Sequence, residues 1–143
     1  VTQGYDVAMR LLLSYSALES ACNATGLKPV QVCLIYPGSY LDECRQKIRS
    51  SFRVYSEEDF PLRQALNSAR LQRKLDDFFD GGDDDLMPFA SAMRHLFAHG
   101  FWTPTGSDAL TKTAIDGLDL LHQGLLLAGQ EMFNNFWQGY LKK

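Results

Sequence analysis

An arginine and two histidines lie close together about two thirds of the way along the chain, in the stretch Met93-Arg94-His95-Leu96-Phe97-Ala98-His99-Gly100. Imidazole takes and gives protons near neutral pH. The planar guanidinium group of arginine donates paired hydrogen bonds to phosphate oxygens. Cleavage of RNA without a metal needs both, because a base must take the proton of the 2'-hydroxyl and a cation must hold the charge that builds on the phosphate. We therefore expect His99 to transfer the proton and Arg94 to stabilise the phosphate.

The two histidines also have the spacing of a zinc-binding helix. His95 and His99 are four residues apart and share a helix face, as in the H-E-x-x-H motif of metalloproteases. Leu96 stands where that motif has its glutamate, and His122 is the only other histidine, so no third ligand is evident. We therefore expect no metal and no cofactor in the site, and we expect His122 to be a packing or surface residue.

The element that carries these residues is predicted to be a buried helix, since apolar residues recur every three or four positions: Leu86, Phe89, Met93 and Leu96. Gly100 tolerates a left-handed backbone and Pro104 follows, so the helix should end at about His99. In a straight helix Arg94 and His99 point about 140° apart. They meet only if the last turn loosens, if the arginine reaches round, or if a second protomer supplies one of them.

The string Arg94-His95-x-x-x-His99 resembles the signature of HEPN domains, small all-α bundles of which many are RNases. In that family the residue after the arginine is commonly Asn, Asp or His, and His95 fits. The predicted helix order matches as well: a long amphipathic first helix containing Ser16–Ala21, central helices, the motif helix and a long closing helix. The resemblance implies a homodimer that brings two motifs together in a cleft. It also implies metal-independent cleavage of RNA that leaves a 2',3'-cyclic phosphate.

The same resemblance implies further roles in the site. His95 would tune or orient it. Glu19, at the border of the apolar face of the first helix, is either a boundary residue in water or a partner of the Arg94 and His99 cluster, as a second polar residue is in some members. Phe101 departs from the pattern, because one well-marked subgroup has tyrosine at that position. This chain therefore lacks the phenol of the toxin and antitoxin pairs in that subgroup.

The whole sequence predicts a single domain, residues 1–143, folded as an all-α bundle of four to five helices with a long C-terminal helix. We expect a first helix over residues 5–24, a second from Ser39 to about Phe52, and a third from Ser56 or Asp59 to Phe79. We expect Asp84 or Asp85 to cap the motif helix and Ser107 or Asp108 to cap the last helix, with Phe101–Gly106 forming a turn over the end of the motif helix.

Two segments do not fit a simple bundle. Residues Val30 to Tyr36 are rich in branched and aromatic side chains, which favours either an extended connector or an edge that pairs across a dimer. The last helix has an apolar stripe from Leu110 to Phe136 and a second apolar flank formed by Leu127, Phe133, Trp137 and Tyr140. One side can pack in the bundle while the other needs a partner, so we expect a homodimer.

Composition excludes several classes of protein. The 143 residues are 45% apolar and 22% charged, which is typical of a folded domain, and the net charge of −3 argues against a large non-specific nucleic-acid surface. A basic cluster between Arg45 and Lys74 is followed by an acidic block from Asp76 to Asp85, for which solvated surfaces are the ordinary explanation. The Asp80–Asp85 loop lacks the spacing of a calcium-binding loop.

Localisation follows from cysteine usage and hydropathy. Three cysteines, Cys22, Cys33 and Cys44, form neither a disulfide framework nor a zinc cluster. No signal-peptide pattern opens the chain, and the apolar segment Leu118–Ala128 is too short for a bilayer. We expect a cytoplasmic protein without membrane contact.

Two functions compete at this stage. The first is a metal-independent endoribonuclease, a defence or stress toxin acting on tRNA or messenger RNA rather than on DNA, with an antitoxin or other protein partner. The second is a non-catalytic interaction and dimerisation module that binds a protein or a nucleotide. A helical carrier of lipids or small ligands is a distant third, suggested only by the nine phenylalanines.

Overall fold

The computed structural model describes residues 2–32, 39–53, 61–100 and 110–142, and these residues form helices and connections without a strand. Six α-helices lie in the described ranges: α1 (Thr2–Thr25), α2 (Ser39–Phe52), α3 (Pro61–Gln64), α4 (Ala69–Asp80), α5 (Met87–Ala98) and α6 (Lys112–Leu141). The predicted all-α class and the long C-terminal helix are confirmed. The count of four to five helices is too low, because one expected helix is divided in two.

Helix α1 is organised by its apolar face, and the residues expected there are all buried: Val7, Leu11, Tyr15, Leu18 and Cys22. It runs beside α6 in the same direction, since Arg10 pairs with Asp119 and Gly129 lies against Leu18. Gly26, with φ +77°, ends α1.

Helix α2 packs against α6 in the opposite direction, with Leu41 beside Gly124 and Ile48 beside Gly117. A Cβ atom at Gly117 would lie 3.1 Å from the Ile48 side chain, so the glycine permits the close approach of the two helices. The Cys44 thiol donates a hydrogen bond to the Gly117 carbonyl at 3.3 Å, and burial raises the pKa of Cys44 to about 12. Cys22 and Cys44 are both buried free thiols.

The segment expected to be one helix up to Phe79 is broken after its first turn. Helix α3 ends at Gln64, and α4 begins at Ala69 with Ser68 as its N-cap, whose Oγ accepts the Leu71 N–H at 3.1 Å. The prediction of one continuous helix was therefore wrong. The expected starting points Ser56 and Asp59 lie outside the described residues.

Helix α6 also begins later than expected. Its N-cap is Thr111, whose Oγ1 accepts the Ala114 N–H at 3.1 Å, so the prediction of a cap at Ser107 or Asp108 was wrong. Leu110 packs on the core just before the helix. The aromatic turn predicted over Phe101–Gly106 lies outside the described residues.

The β-like run has a different local structure at its start. Pro29–Gln31 forms one turn of 3-10 helix, and Val32 then returns to extended geometry with φ −87° and ψ 116°. The prediction of an extended segment from Val30 was therefore wrong for its first two residues. Residues 33–36 lie outside the described ranges, so the alternative of an edge that pairs across a dimer stays a prediction.

The basic and acidic blocks of the middle of the chain pair with each other instead of facing solvent separately. We call the set Arg45, Arg49, Lys74, Asp84 and Asp85 the charged network. The Arg45 Nε donates to the Asp84 carbonyl at 2.8 Å, and the Arg49 Nη2 donates to Asp84 Oδ1 at 3.1 Å. Lys74 pairs with the buried Asp85 at 3.1 Å. The Asp85 Oδ1 also accepts the Met87 N–H at 3.0 Å and so satisfies the first N–H of α5, but the N-cap position is Leu86 and not Asp84 or Asp85 as expected.

The C-terminal part of α6 leaves the bundle. Its apolar stripe is buried up to Ala128, Met132 is half-buried, and Phe136 is exposed, so the stripe expected to reach Phe136 ends earlier. Across the part of the chain that the structure describes, no helix combines the length and the hydropathy that a membrane span requires.

Candidate active site

Two helices position the residues of the candidate site. Tyr15 and Glu19 are four residues apart on α1, and Ser91, Arg94 and His95 occupy adjacent turns of α5. Residues at these spacings project from one side of a helix. Because both helices bury their apolar residues in the same core, their polar residues meet where the two helices face each other. The site therefore rests on rigid elements.

Glu19 is the counterion of Arg94. The Arg94 Nη2 lies 3.1 Å from the Glu19 Oε1, and each side chain keeps about a third of its surface in solvent. The Glu19 Oε1 is itself buried and accepts no hydrogen bond within the described residues. The short distance and the missing hydrogen bond together indicate a pair held by charge, with the N–H groups aimed elsewhere. Such a pair contributes about 0–1 kcal/mol to stability.

Tyr15 forms the floor beneath the arginine. The Arg94 guanidinium carbon lies 5.8 Å from the centre of the Tyr15 ring, within cation–π distance. The Tyr15 hydroxyl donates to the Ser91 Oγ at 3.2 Å. Burial raises the pKa of Tyr15, so the phenol keeps its proton and acts as a donor.

His95 has a perturbed titration. Burial lowers its pKa below 6.5, and the neighbouring His99 and Arg94 lower it further by repelling a second positive charge. His95 is consequently neutral at pH 7, and a neutral imidazole has a nitrogen that can accept a proton. This is the charge state that a general base requires.

His99 lies one turn beyond His95, at the end of the helix. Helix α5 ends at Ala98, His99 follows as the C-cap, and Gly100 has φ +67°, so the predicted end of the motif helix is confirmed. The His99 backbone N–H still bonds the His95 carbonyl at 3.1 Å, so the last turn has not loosened. The imidazole rings of His95 and His99 are 4.5 Å apart between centroids.

Arg94 and His99 do not meet within the described chain, because Arg94 turns toward Glu19 and Tyr15. Two of the three routes by which the sequence allowed them to meet are therefore not taken, namely a loosened turn and an arginine that reaches round the helix. His95 stands between them: it approaches His99 and lines the same pocket as Arg94.

The pocket over these residues has a volume of about 510 Å³ and opens between α1, α5, the segment that follows α1 and the connection from α3 to α4. Arg94, His95, Glu19, Tyr15 and Ser91 line it together with Lys28 and Asn67. Sequence reasoning missed Tyr15, Ser91, Lys28 and Asn67. The spacing of Tyr15 to Glu19 and of Ser91 to His95 was a usable signal, but it identifies a site only when two helices are known to face each other.

Within the described ranges, no group of three or more His, Cys, Asp or Glu side chains is placed to hold a metal ion. His122 is half-buried on α6, away from the pocket lining. The comparisons with known proteins add no relative: no family model matches the chain, and neither the curated proteins nor the solved structures contain a match.

Proposed function

We propose that this protein is a metal-independent endoribonuclease of the HEPN type that acts in the cytoplasm as a homodimer. The observation that carries the proposal is the pocket in which an arginine, held by charge against Glu19, lies beside the neutral imidazole of His95. The HEPN resemblance of the Arg94-His95-x-x-x-His99 string supports it independently of the geometry.

Arg94 is suited to hold the scissile phosphate. A guanidinium group has five N–H donors, and within the described residues none of those of Arg94 donates a hydrogen bond to a protein atom. The Glu19 carboxylate and the Tyr15 ring fix its position without using that capacity. Phosphate oxygens can then accept two parallel hydrogen bonds from it, which stabilise the charge of the pentacovalent transition state. Lys28, which also lines the pocket, adds a second positive charge.

The two histidines divide the proton transfers. His95 takes the proton of the 2'-hydroxyl, and the 2'-oxygen attacks the phosphorus. The bond from phosphorus to the 5'-oxygen breaks, and that oxygen takes a proton from the ring of His99. The products are a 2',3'-cyclic phosphate and a 5'-hydroxyl. This assigns the base to His95 and the acid to His99, whereas the sequence suggested His99 for proton transfer with His95 tuning the site; the low pKa of His95 favours the new assignment.

The test is cleavage of labelled single-stranded RNA and of tRNA in EDTA by the purified protein. We expect wild type to cleave with cyclic-phosphate ends, and we expect Arg94→Ala, His95→Asn and His99→Asn to lose most of the activity. His122→Asn is the matched control, because it removes the one histidine outside the Arg94-His95-x-x-x-His99 string. Equal cleavage by all four variants would indicate a contaminating nuclease and contradict the proposal.

A second candidate is the non-catalytic interaction module. The specific observation in its favour is that the charged network uses much of the basic cluster between Arg45 and Lys74, so little of that charge remains for an RNA surface. Wild type that leaves every RNA intact, while Arg94→Ala abolishes binding to a protein or nucleotide ligand, would favour this candidate over the nuclease.

A further inference from the structure

The end of α6 carries most of the exposed large apolar surface of the described chain. Ten large hydrophobic side chains in the described ranges are exposed, and seven of them lie on α6 after Leu125: Leu126, Leu127, Phe133, Phe136, Trp137, Tyr140 and Leu141. Scattered single residues of this kind are ordinary on a protein surface, but their concentration on half a helix indicates that one side of this segment is a contact surface. Leu127 lies on a different side of the helix from the aromatic residues.

The aromatic residues form a single stripe. Phe133, Phe136, Trp137 and Tyr140 follow the three-and-four spacing that places side chains on one helix face. The Phe133 and Trp137 rings are 6.5 Å apart with an angle of 6° between their planes, and the Trp137 and Tyr140 rings are 5.4 Å apart with an angle of 11°. The rings thus lie as one ribbon, which we call the aromatic stripe.

A groove of small residues lies next to the stripe, between α1 and α6. It has a volume of about 370 Å³ and is lined mainly by small or apolar side chains: Ala17, Ser20, Ala21, Ala24, Leu126, Gly129, Gln130 and Phe133. Large rings that protrude and a groove of alanine and glycine on the same chain are complementary shapes. Neither surface contains a charged residue.

We propose that the aromatic stripe of one copy occupies the groove of a second copy, so that two α6 helices pack antiparallel about a twofold axis. An antiparallel arrangement places Tyr140 of each copy against Gly129 of the other, large against small, and Phe136 against Phe133. A parallel arrangement would set stripe against stripe and leave both grooves empty. The twofold repeats each contact, as an isologous interface requires.

The aromatic stripe supplies about half of the area that a stable contact with a second copy needs. Four aromatic side chains that are each about half exposed supply roughly 400 Å² per copy, and a stable interface needs about 800 Å² per partner. Leu126, Leu141 and the walls of the groove supply further area in the same contact. Because the surface carries no charge, a twofold contact brings no like charges together.

The interface would also place the two candidate sites in one gap. Helix α1 runs parallel to α6 and ends at Thr25, seven residues after Leu18, whereas α6 continues for twelve residues after Gly129. Glu19 and Lys28 therefore lie at the end of the bundle from which the stripe projects. Antiparallel packing of two stripes turns those ends toward each other. Only this consequence rests on the proposed function, since the interface itself is argued from shape, area and charge.

Sedimentation velocity of the full chain, without RNA, tests the interface over a range of micromolar concentrations. We expect a dimer for wild type and a dissociation constant at least roughly thirtyfold weaker for Trp137→Glu, the size of a central interface residue. Ala17→Trp fills the groove and should also weaken the dimer, although it adds apolar surface. Leu127→Glu is the matched control, because this exposed leucine lies on α6 about 130° away from the stripe and should leave the dimer intact.

Each outcome bears on the interface separately from cleavage. A wild-type monomer at all concentrations would overturn the proposal, and so would a dimer that Trp137→Glu leaves unchanged. A tighter dimer of Ala17→Trp than of wild type would show that apolar surfaces associate non-specifically, and it would also overturn the proposal. A dimer that responds as expected but leaves RNA intact would retain the interface and contradict the nuclease.

Discussion

Two arginine environments in this protein show how a structural cation differs from one that is available to a ligand. The Arg45 side chain is 5% exposed and bonds the Asp84 carbonyl and the Asp42 carboxylate at 2.8 and 2.9 Å. The Arg94 side chain is 38% exposed, and its one carboxylate partner accepts no hydrogen bond from it. The hydrogen bonds of Arg45 join α2 to the segment before α5. The N–H groups of Arg94 remain available to donate hydrogen bonds to a ligand.

The comparison extends to the neighbours of each arginine. Arg49 bonds the Phe78 and Asp83 carbonyls and lies over the Phe78 ring at 4.6 Å, so backbone acceptors and an aromatic ring fix it together. Arg94 has the aromatic ring but no backbone acceptor within the described residues. An arginine bonded to backbone carbonyls stabilises a fold. An arginine that is held only by the charge of a carboxylate and by an aromatic ring keeps its N–H groups available for a ligand.

Replacing Arg94 by alanine should have the largest effect, and it should act on activity alone. We expect cleavage to fall by a factor of about 10²–10³, as for loss of one group that stabilises a transition state. The free energy of unfolding should change by less than about 1 kcal/mol, because the side chains of Arg94 and Glu19 are each about one third exposed. Single-turnover RNA cleavage and urea unfolding measure the two quantities. A stability loss as large as the activity loss would make Arg94 a structural arginine like Arg45.

The reverse pattern is expected for Arg45→Met, which keeps the length of the side chain. Losing the charge-assisted hydrogen bonds of a buried side chain should destabilise the fold by roughly 2–3 kcal/mol. Cleavage by the folded fraction should match wild type, since Arg45 lies in the charged network and not in the pocket lining. Urea unfolding followed by circular dichroism gives the stability. Arg73→Met, at an exposed position of α4, is the control and should change the stability by less than about 0.5 kcal/mol.

Glu19→Gln sharpens the comparison by removing the charge that holds Arg94 while keeping the shape of the side chain. The RNA phosphate is then no longer repelled by the Glu19 carboxylate beside Arg94, so KM should fall severalfold. The rate constant kcat should also fall severalfold, because the guanidinium is less firmly positioned. Steady-state kinetics separate the two parameters. Unchanged values of both would show that Glu19 is a solvated boundary residue, the other interpretation that the sequence allowed.

The smallest expected effect is on pH dependence. Because the pKa of His95 is lowered, the acidic limb of kcat/KM should have its midpoint below pH 6.5. His99→Asn removes one repelling group and should move the His95 pKa upward, which NMR titration of the imidazole measures. The His95 pKa is lower in the folded state than in the unfolded chain, where it is near 6.5, so the unfolded chain binds a proton at His95 more readily. The contribution of neutral His95 to the free energy of unfolding is therefore complete above pH 6.5 and is lost as the pH falls through the folded pKa. A His95 pKa above 6.5 would contradict its role as the base.

The sequence predicted the elements that depend on local signals. The apolar period of α1 and the glycine after His99 are properties of neighbouring residues, and they gave the buried face of α1 and the end of α5. The start of α1 was expected at residue 5 and lies at Thr2. The break before Ser68 was missed because the apolar period continues across it, while a cap is a competing local signal of similar strength. The start of α6 was placed too early because Ser107, Asp108 and Thr111 are all good caps. Local chemistry does not rank them.

The candidate site was accessible to sequence reasoning only in part. Arg94, His95 and His99 were found because they lie in one short string. The contact of Glu19 with Arg94 and the bond of Tyr15 to Ser91 join residues more than seventy positions apart, which only the packing of α1 on α5 decides. The pairing of the basic and acidic blocks was also invisible, because a charged run looks the same whether it is solvated or buried against its opposite.

The thiol of Cys44 can report how often helices α2 and α6 separate. The thiol is buried between α2 and α6 and donates a hydrogen bond to the Gly117 carbonyl. Because its pKa is about 12, almost none of it is in the reactive thiolate form at neutral pH. An alkylating reagent can modify it only in those moments when the two helices separate. The labelling rate at Cys44, read by mass spectrometry, therefore counts openings of the bundle. It would report whether a ligand or a second copy slows that motion without any engineered probe.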